Sequence, residues 1–199
     1  ATAAGADAAA ALEARFDAIL GAYSTFRERH PENALGFWYS AFETFYLALN
    51  QFEPSADERG AGAAGFRDAE RLFEACRDRE PGFTDACINY EILSRTALGW
   101  CLYRLEEEKD AEALFFSAED LRPLGSEASR RGQAAGLDLF LSGADGSKRL
   151  PSALAGLDFL VRRATSDPTS LEGLERGARL ADRMFSARPE NPNLANNVG

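Results

Sequence analysis

The sequence predicts an all-α fold, and three observations carry that prediction. The 199 residues include two Val, three Ile and seven Thr, against 36 Ala and 24 Leu. β-Branched side chains cover the pleated faces of sheets, and twelve of them are too few to build one. Apolar residues recur at three- and four-residue steps along most of the chain, which is the repeat of a helix with one buried side. Proline and glycine interrupt that repeat at fairly regular intervals and divide it into helix-length pieces. At 45% hydrophobic and 27% charged, the composition is that of a globular chain with ample material for a core.

The elements follow in order. Residues 6–29 read as a first helix, with Leu12, Phe16, Ile19, Tyr23 and Phe26 along one side. Pro31 ends it, and His30 stands at its C-terminal end, where the helix dipole favours a cation. Asn33 is a suitable N-cap for the second helix, 34–51, which carries Phe37, Trp38, Tyr39, Phe42, Phe45 and Tyr46. Residues 52–65, rich in Gly, Pro and small side chains, read as a loop. A third helix, 66–79, stops at Pro81-Gly82. A fourth spans 84–105, the acidic residues 106–109 contain a turn, and a fifth ends at Leu121 before Pro123. Residues 127–142 are predicted as a sixth helix and 143–147 as a second flexible loop. Pro151 suits the first position of a seventh helix that ends near Ala164. Thr169 and Glu172 have capping-box spacing and open an eighth helix to about Ala187. Residues 188–199 read as a frayed tail, which leaves 1–187 as a single domain.

One stretch carries a more specific pattern. After Leu98-Gly99 come Ala111, Phe115, Ala118 and Pro123, at successive intervals of twelve, four, three and five residues from Gly99. Gly99, Ala111 and Ala118 are small where helices cross closely, and Phe115 fills the gap between hairpins. Residues 92–123 thereby resemble the tetratricopeptide repeat, a helix A–turn–helix B unit, with Arg95 where that family often has Trp. Ala69, Phe73, Cys76 and Pro81 repeat the helix B spacing, Cys76 replacing Ala, so residues 34–81 form a second repeat with 52–65 inserted. The resemblance implies stacked antiparallel hairpins, a right-handed α-solenoid of about eight helices made irregular by loop insertions.

The resemblance further implies a non-catalytic adaptor or scaffold that docks a partner peptide or protein on a concave surface lined by the first helix of each pair. The family's groove positions fall on Leu93, Thr96, Trp100, Tyr103 and Arg104. Independently of family, Trp100, Tyr103 and Arg104 share one helical face. Indole, phenol and guanidinium together suit an apolar or aromatic anchor flanked by carboxylates. The second helix offers another surface, with Trp38, Phe42, Phe45 and Leu49 in one stripe and Tyr39, Glu43 and Tyr46 beside it. Either set reads equally as core, since a helix apolar on several sides is central or presents one side to a partner. The family's clamp for a terminal carboxylate is not reproduced, because Thr96, Trp100 and Arg104 replace its Lys and Asn. The alternative is a binding protein for a small hydrophobic or aromatic ligand, in a pocket lined from fourteen Phe, five Tyr and two Trp.

Composition also excludes. With His30 as the one histidine, no multi-histidine zinc centre and no triad without His30 is available, and neither metal nor cofactor is expected. Residues 143–148 lack the Gly-Lys-Ser/Thr of a phosphate loop, Asp145 lacks the alternating carboxylates of a calcium loop, and Glu106 to Glu108 read as a solvated turn. A net charge of −10 disfavours nucleic acid and anionic membrane surfaces. No apolar run approaches the ~20 residues of a membrane span; even 37–52 is broken by Glu43 and Asn50. Twenty Arg against two Lys accord with a GC-rich bacterial genome. The N-terminal Ala1-Thr2-Ala3 fits a mature exported protein, although a trimmed one would read the same. A second copy of the chain is a further expected partner. Cys87 and Cys101 lie ~21 Å apart along one helix and cannot bond. Cys76 and Cys87 flank the Pro81-Gly82 turn, either as a disulfide or as buried thiols.

Overall fold

A computed structural model describes residues 3–51, 62–126, 151–189, 191 and 194; side chains are described from residue 11, Leu12 and Glu13 apart. The described residues form seven α-helices and no strand. These are α1 (Ala3–Arg29), α2 (Ala34–Gln51), α3 (Ala63–Arg79), α4 (Thr84–Arg104), α5 (Glu108–Leu121), α6 (Ala153–Ala164) and α7 (Leu171–Ala187). Short 3-10 turns at Pro81–Phe83 and Arg122–Leu124 follow α3 and α5. The predicted helix 127–142, the loop 143–147 and most of the loop 52–65 lie outside the described residues.

Each helix packs on the one before and the one after it, and α4 also touches α6. α3 buries a single stripe, Phe66, Ala69, Phe73 and Cys76, and α5 buries Ala111, Phe115, Phe116 and Ala118. α4 differs. Flanked by α3, α5 and α6, it is buried nearly all round from Cys87 to Leu102, with Glu91, Ser94 and Thr96 among its buried residues. A helix without a solvent side has to be the middle of its domain.

The helix ends show where local chemistry departs from the sequence reading. α3 begins three residues early because Gly62 turns the chain at φ 83°, where a methyl group would meet the Ala48 carbonyl oxygen at 2.4 Å. Pro151 does not start α6. Ser152 caps that helix, its hydroxyl accepting from the Ala155 N–H. Nor does Thr169 cap α7, since its hydroxyl and N–H both donate to the Asp167 carboxylate and hold that group below its usual range. Ser170 takes over and accepts from the Gly173 N–H at 3.1 Å. In the region read as a frayed tail, Leu194 is buried against the core.

Between α4 and α5 the chain turns through Glu106, at φ 66°. A side chain there is strained by about 1–2 kcal/mol. Glu106→Gly removes that strain, gives back part of it as unfolded-chain entropy, and forfeits a solvent-screened contact with Arg163 at 3.9 Å. The expected result is a net gain of about 0.5–1 kcal/mol in urea unfolding; a loss would show that this contact holds the turn.

Candidate functional site

The aromatic residues that the sequence singles out sit at two joints of α4. At the first, Trp100 is 5% exposed, and its indole Nε1 donates to the Pro151 carbonyl at 2.9 Å. Its ring meets Phe115 of α5 at 5.4 Å between centroids, and Tyr103 and Phe159 at 5.6 Å. Trp100 is therefore a core residue with a satisfied polar tip. Leu93, Thr96 and Phe45 are buried as well. These four, expected on the docking face, lie in the packed interior. A three- and four-residue stripe marks one side of a helix, but which neighbours cover α4 is decided by the distant packing of α6 and α3.

What remains at this joint is a small platform. Phe159 of α6 is 48% exposed and lies edge-on to half-buried Tyr103 at 6.5 Å. The Arg163 guanidinium stands 5.7 Å from the Tyr103 ring centroid. It is fixed there by Glu108, 2.6 Å from Arg163 Nε; Glu108 also takes Arg176 of α7 at 2.6 Å, and Arg176 reaches Glu112 at 3.7 Å. Glu108, read as part of a solvated turn, thus ties α5 to α6 and α7. Arg104, half-buried, follows Tyr103 at the end of α4.

The second joint lies between α2 and α4. Trp38, half-buried, packs on Phe73, Phe83 and Tyr90 at 5.5, 5.4 and 5.7 Å. Phe42 meets Tyr90 at 5.5 Å and Tyr46 at 4.6 Å, and Phe45 meets Tyr90 at 5.4 Å. The Tyr46 and Tyr90 hydroxyls are hydrogen-bonded, and burial raises both phenols above their ordinary value. The outer side of α2 shows Tyr39, stacked on Tyr23 of α1 at 5.7 Å. Trp38, Phe42 and Tyr46 therefore hold α2 to α4 and are half-buried.

Phe159 and Arg163 are the surface residues that sequence reasoning missed. Ala153, Gly156, Leu157 and Leu160 make the inward stripe of α6, and Phe159 falls off it; an aromatic off its helix's apolar stripe was the available signal. Arg95, standing where the family often has Trp, links helices by charge instead. Its Nε meets Glu70 of α3 at 2.7 Å, and its Nη1 donates to the Ser117 hydroxyl of α5 at 2.5 Å.

Two surface clefts are formed among the described residues, the second beside the Glu108–Arg176 pair. One, of about 580 Å³, is lined by Glu32, Leu35, Arg79 and Phe83 among others, and one of about 490 Å³ is lined by Glu106 to Asp110, Glu172 and Arg176. Among the described residues no group of His, Cys, Asp or Glu is arranged to hold a metal ion, and no helix is long and apolar enough to cross a membrane. No family model matches the chain, and neither a curated protein nor a solved structure matches it.

Proposed function

We propose that the chain is a non-catalytic adaptor that docks a partner peptide or protein on stacked helical hairpins of the tetratricopeptide kind. One observation carries the reading. The Phe115 ring of α5 lies against Gly99 of α4 and Gly156 of α6, so α5 is gripped between those two helices. On this reading α2, α4 and α6 lie side by side in the layer that lines the groove of such an array. The ring contacts Trp38–Tyr90 and Trp100–Phe159 run directly between neighbours within that layer and support the same reading.

On this reading the docking residues are Tyr103, Arg104 and Phe159, with half-buried Trp38, Phe42 and Tyr46 along the same layer. The partner is a segment with an aromatic or apolar anchor beside a carboxylate, because an aromatic pair bordered by Arg104 and Arg163 complements those groups. Selection of displayed peptides on the immobilised chain tests this. Enriched peptides should carry such an anchor, and Tyr103→Ala with Phe159→Ala should weaken them about tenfold or more. Thermal unfolding should shift by no more than a few degrees. Equal binding by the double variant, or no enrichment over scrambled controls, overturns the proposal.

A further inference from the structure

Three buried cysteines have no part in the docking surface, and two of them form a pair. Cys76 closes the inward stripe of α3 and Cys87 opens that of α4, on either side of the Pro81–Phe83 turn. Both are fully buried, on helices packed directly on each other, and their thiols are in hydrogen-bond contact. Ten residues separate the two cysteines, so a bond between them would close a short loop across the hairpin. Cys101, also buried, lies fourteen residues further along α4.

We propose that Cys76 and Cys87 are a disulfide-forming pair that staples α3 to α4 when the chain meets a small disulfide oxidant such as oxidised glutathione. The order of attack follows from the surroundings. The hydrogen bond from Cys87 and the nearby Arg79 favour the Cys76 thiolate, whereas the hydrogen bond to Cys76 and then burial keep Cys87 protonated. The Cys76 thiolate attacks one glutathione sulfur, breaks its S–S bond and releases one glutathione thiolate. Cys87 then loses its proton and attacks the Cys76 sulfur of the mixed disulfide, releasing the second. Two protein thiols become one disulfide, one oxidised glutathione becomes two reduced ones, and the two protons end on the released thiolates. Full burial makes the folded protein react slowly, through opening of the hairpin, and refolding protein react fast. The staple also locks the α2–α4 joint, since Phe73 lies one turn before Cys76 and Tyr90 one turn after Cys87, with their rings stacked at 4.9 Å.

The full chain is refolded in a mixture of oxidised and reduced glutathione, and a second sample is incubated in it without unfolding. The expected product has lost about 2 Da, titrates one thiol in denaturant, and gives a cross-linked peptide joining residues 76 and 87. Its Tm should rise by about 5–10 °C and fall back with dithiothreitol, a gain that Cys76→Ser and Cys87→Ser lack. Should either variant fail to fold, mass and peptide map of the wild-type chain still decide. Three titratable thiols in both samples, a product arrested as a glutathione adduct on Cys76, or a cross-link through Cys101 overturns the proposal.

Discussion

Phe115→Ala should destabilise the fold by about 3–5 kcal/mol and lower Tm by about 10 °C or more. The ring is fully buried and packs against two other helices, α4 and α6. Methyl groups placed on Gly99 and Gly156 would fall 2.7 Å and 2.4 Å from its atoms, so both backbones lie directly against the ring. Trp100 closes a further side at 5.4 Å. When the ring goes, a wall of glycine has no side chain with which to refill the space, so the cavity persists and the loss belongs in the upper part of that range. The same geometry makes the glycines dependent on the ring. Gly156→Ala puts a methyl into Phe115, which Gly99 prevents from retreating, and should cost about 1–3 kcal/mol. In the Phe115→Ala background that methyl enters empty space, and its cost should vanish or turn into a gain. Urea unfolding of the four proteins gives the coupling, expected at about 1–3 kcal/mol. Additive effects would mean that the ring and the glycines do not share a contact, which would remove the main support for hairpin stacking.

How much of this was legible in the sequence depended on how far apart the interacting residues lie. α2 begins where Asn33 places it, and α5 stops at Leu121 as Pro123 demands. The side chain of Asn33 accepts from the Leu35 N–H at 3.0 Å, as an N-cap should. Local chemistry misled where two groups competed for one role: Thr169 has capping-box spacing, but Asp167 reaches it first. Gly99, Ala111 and Phe115 stood out because their spacing lies within one hairpin, and that crossing is tight. Gly156 did not, because its reason for being glycine is a ring 41 residues earlier across an interrupted pattern. Trp100 was ambiguous for the same cause. Its face was clear from 3- and 4-residue spacing, whereas its cover, the Pro151 carbonyl and Phe159, comes from α6. Glu108 and Arg95 also find partners on helices that no short-range pattern connects to them.

Glu91→Gln should stabilise the protein by about 2–3 kcal/mol at pH 8.5, and the gain should shrink to nothing near pH 4.5. The Glu91 side chain is completely buried on the central helix, and neither carboxyl oxygen accepts a hydrogen bond. Arg77 approaches to 3.3 Å without hydrogen-bond alignment. Burial is the main reason that the carboxyl is pushed up to about 7 from its ordinary 4.5; Arg77 and Arg95 pull it down, and Glu74 and Glu70 push it further up. A raised acid destabilises with rising pH. Between about 4.5 and 7 the folded chain keeps a proton that the unfolded chain has lost, so stability falls across that window and the full penalty applies above it. Glutamine keeps the shape and cannot ionise. The competing expectation is that breaking a buried ion pair is strongly unfavourable because a charge is left uncompensated. Here the charge left behind is Arg77, 23% exposed, whose long side chain can carry its guanidinium to water. Arg77→Gln separates the two expectations, because it strands the carboxylate instead. It should be destabilising at pH 8.5, nearly neutral at pH 4.5, and without effect in the Glu91→Gln background. If Glu91→Gln is the less stable protein at pH 8.5, the Arg77 pair outweighs desolvation and the assignment of Glu91 as a buried liability is wrong.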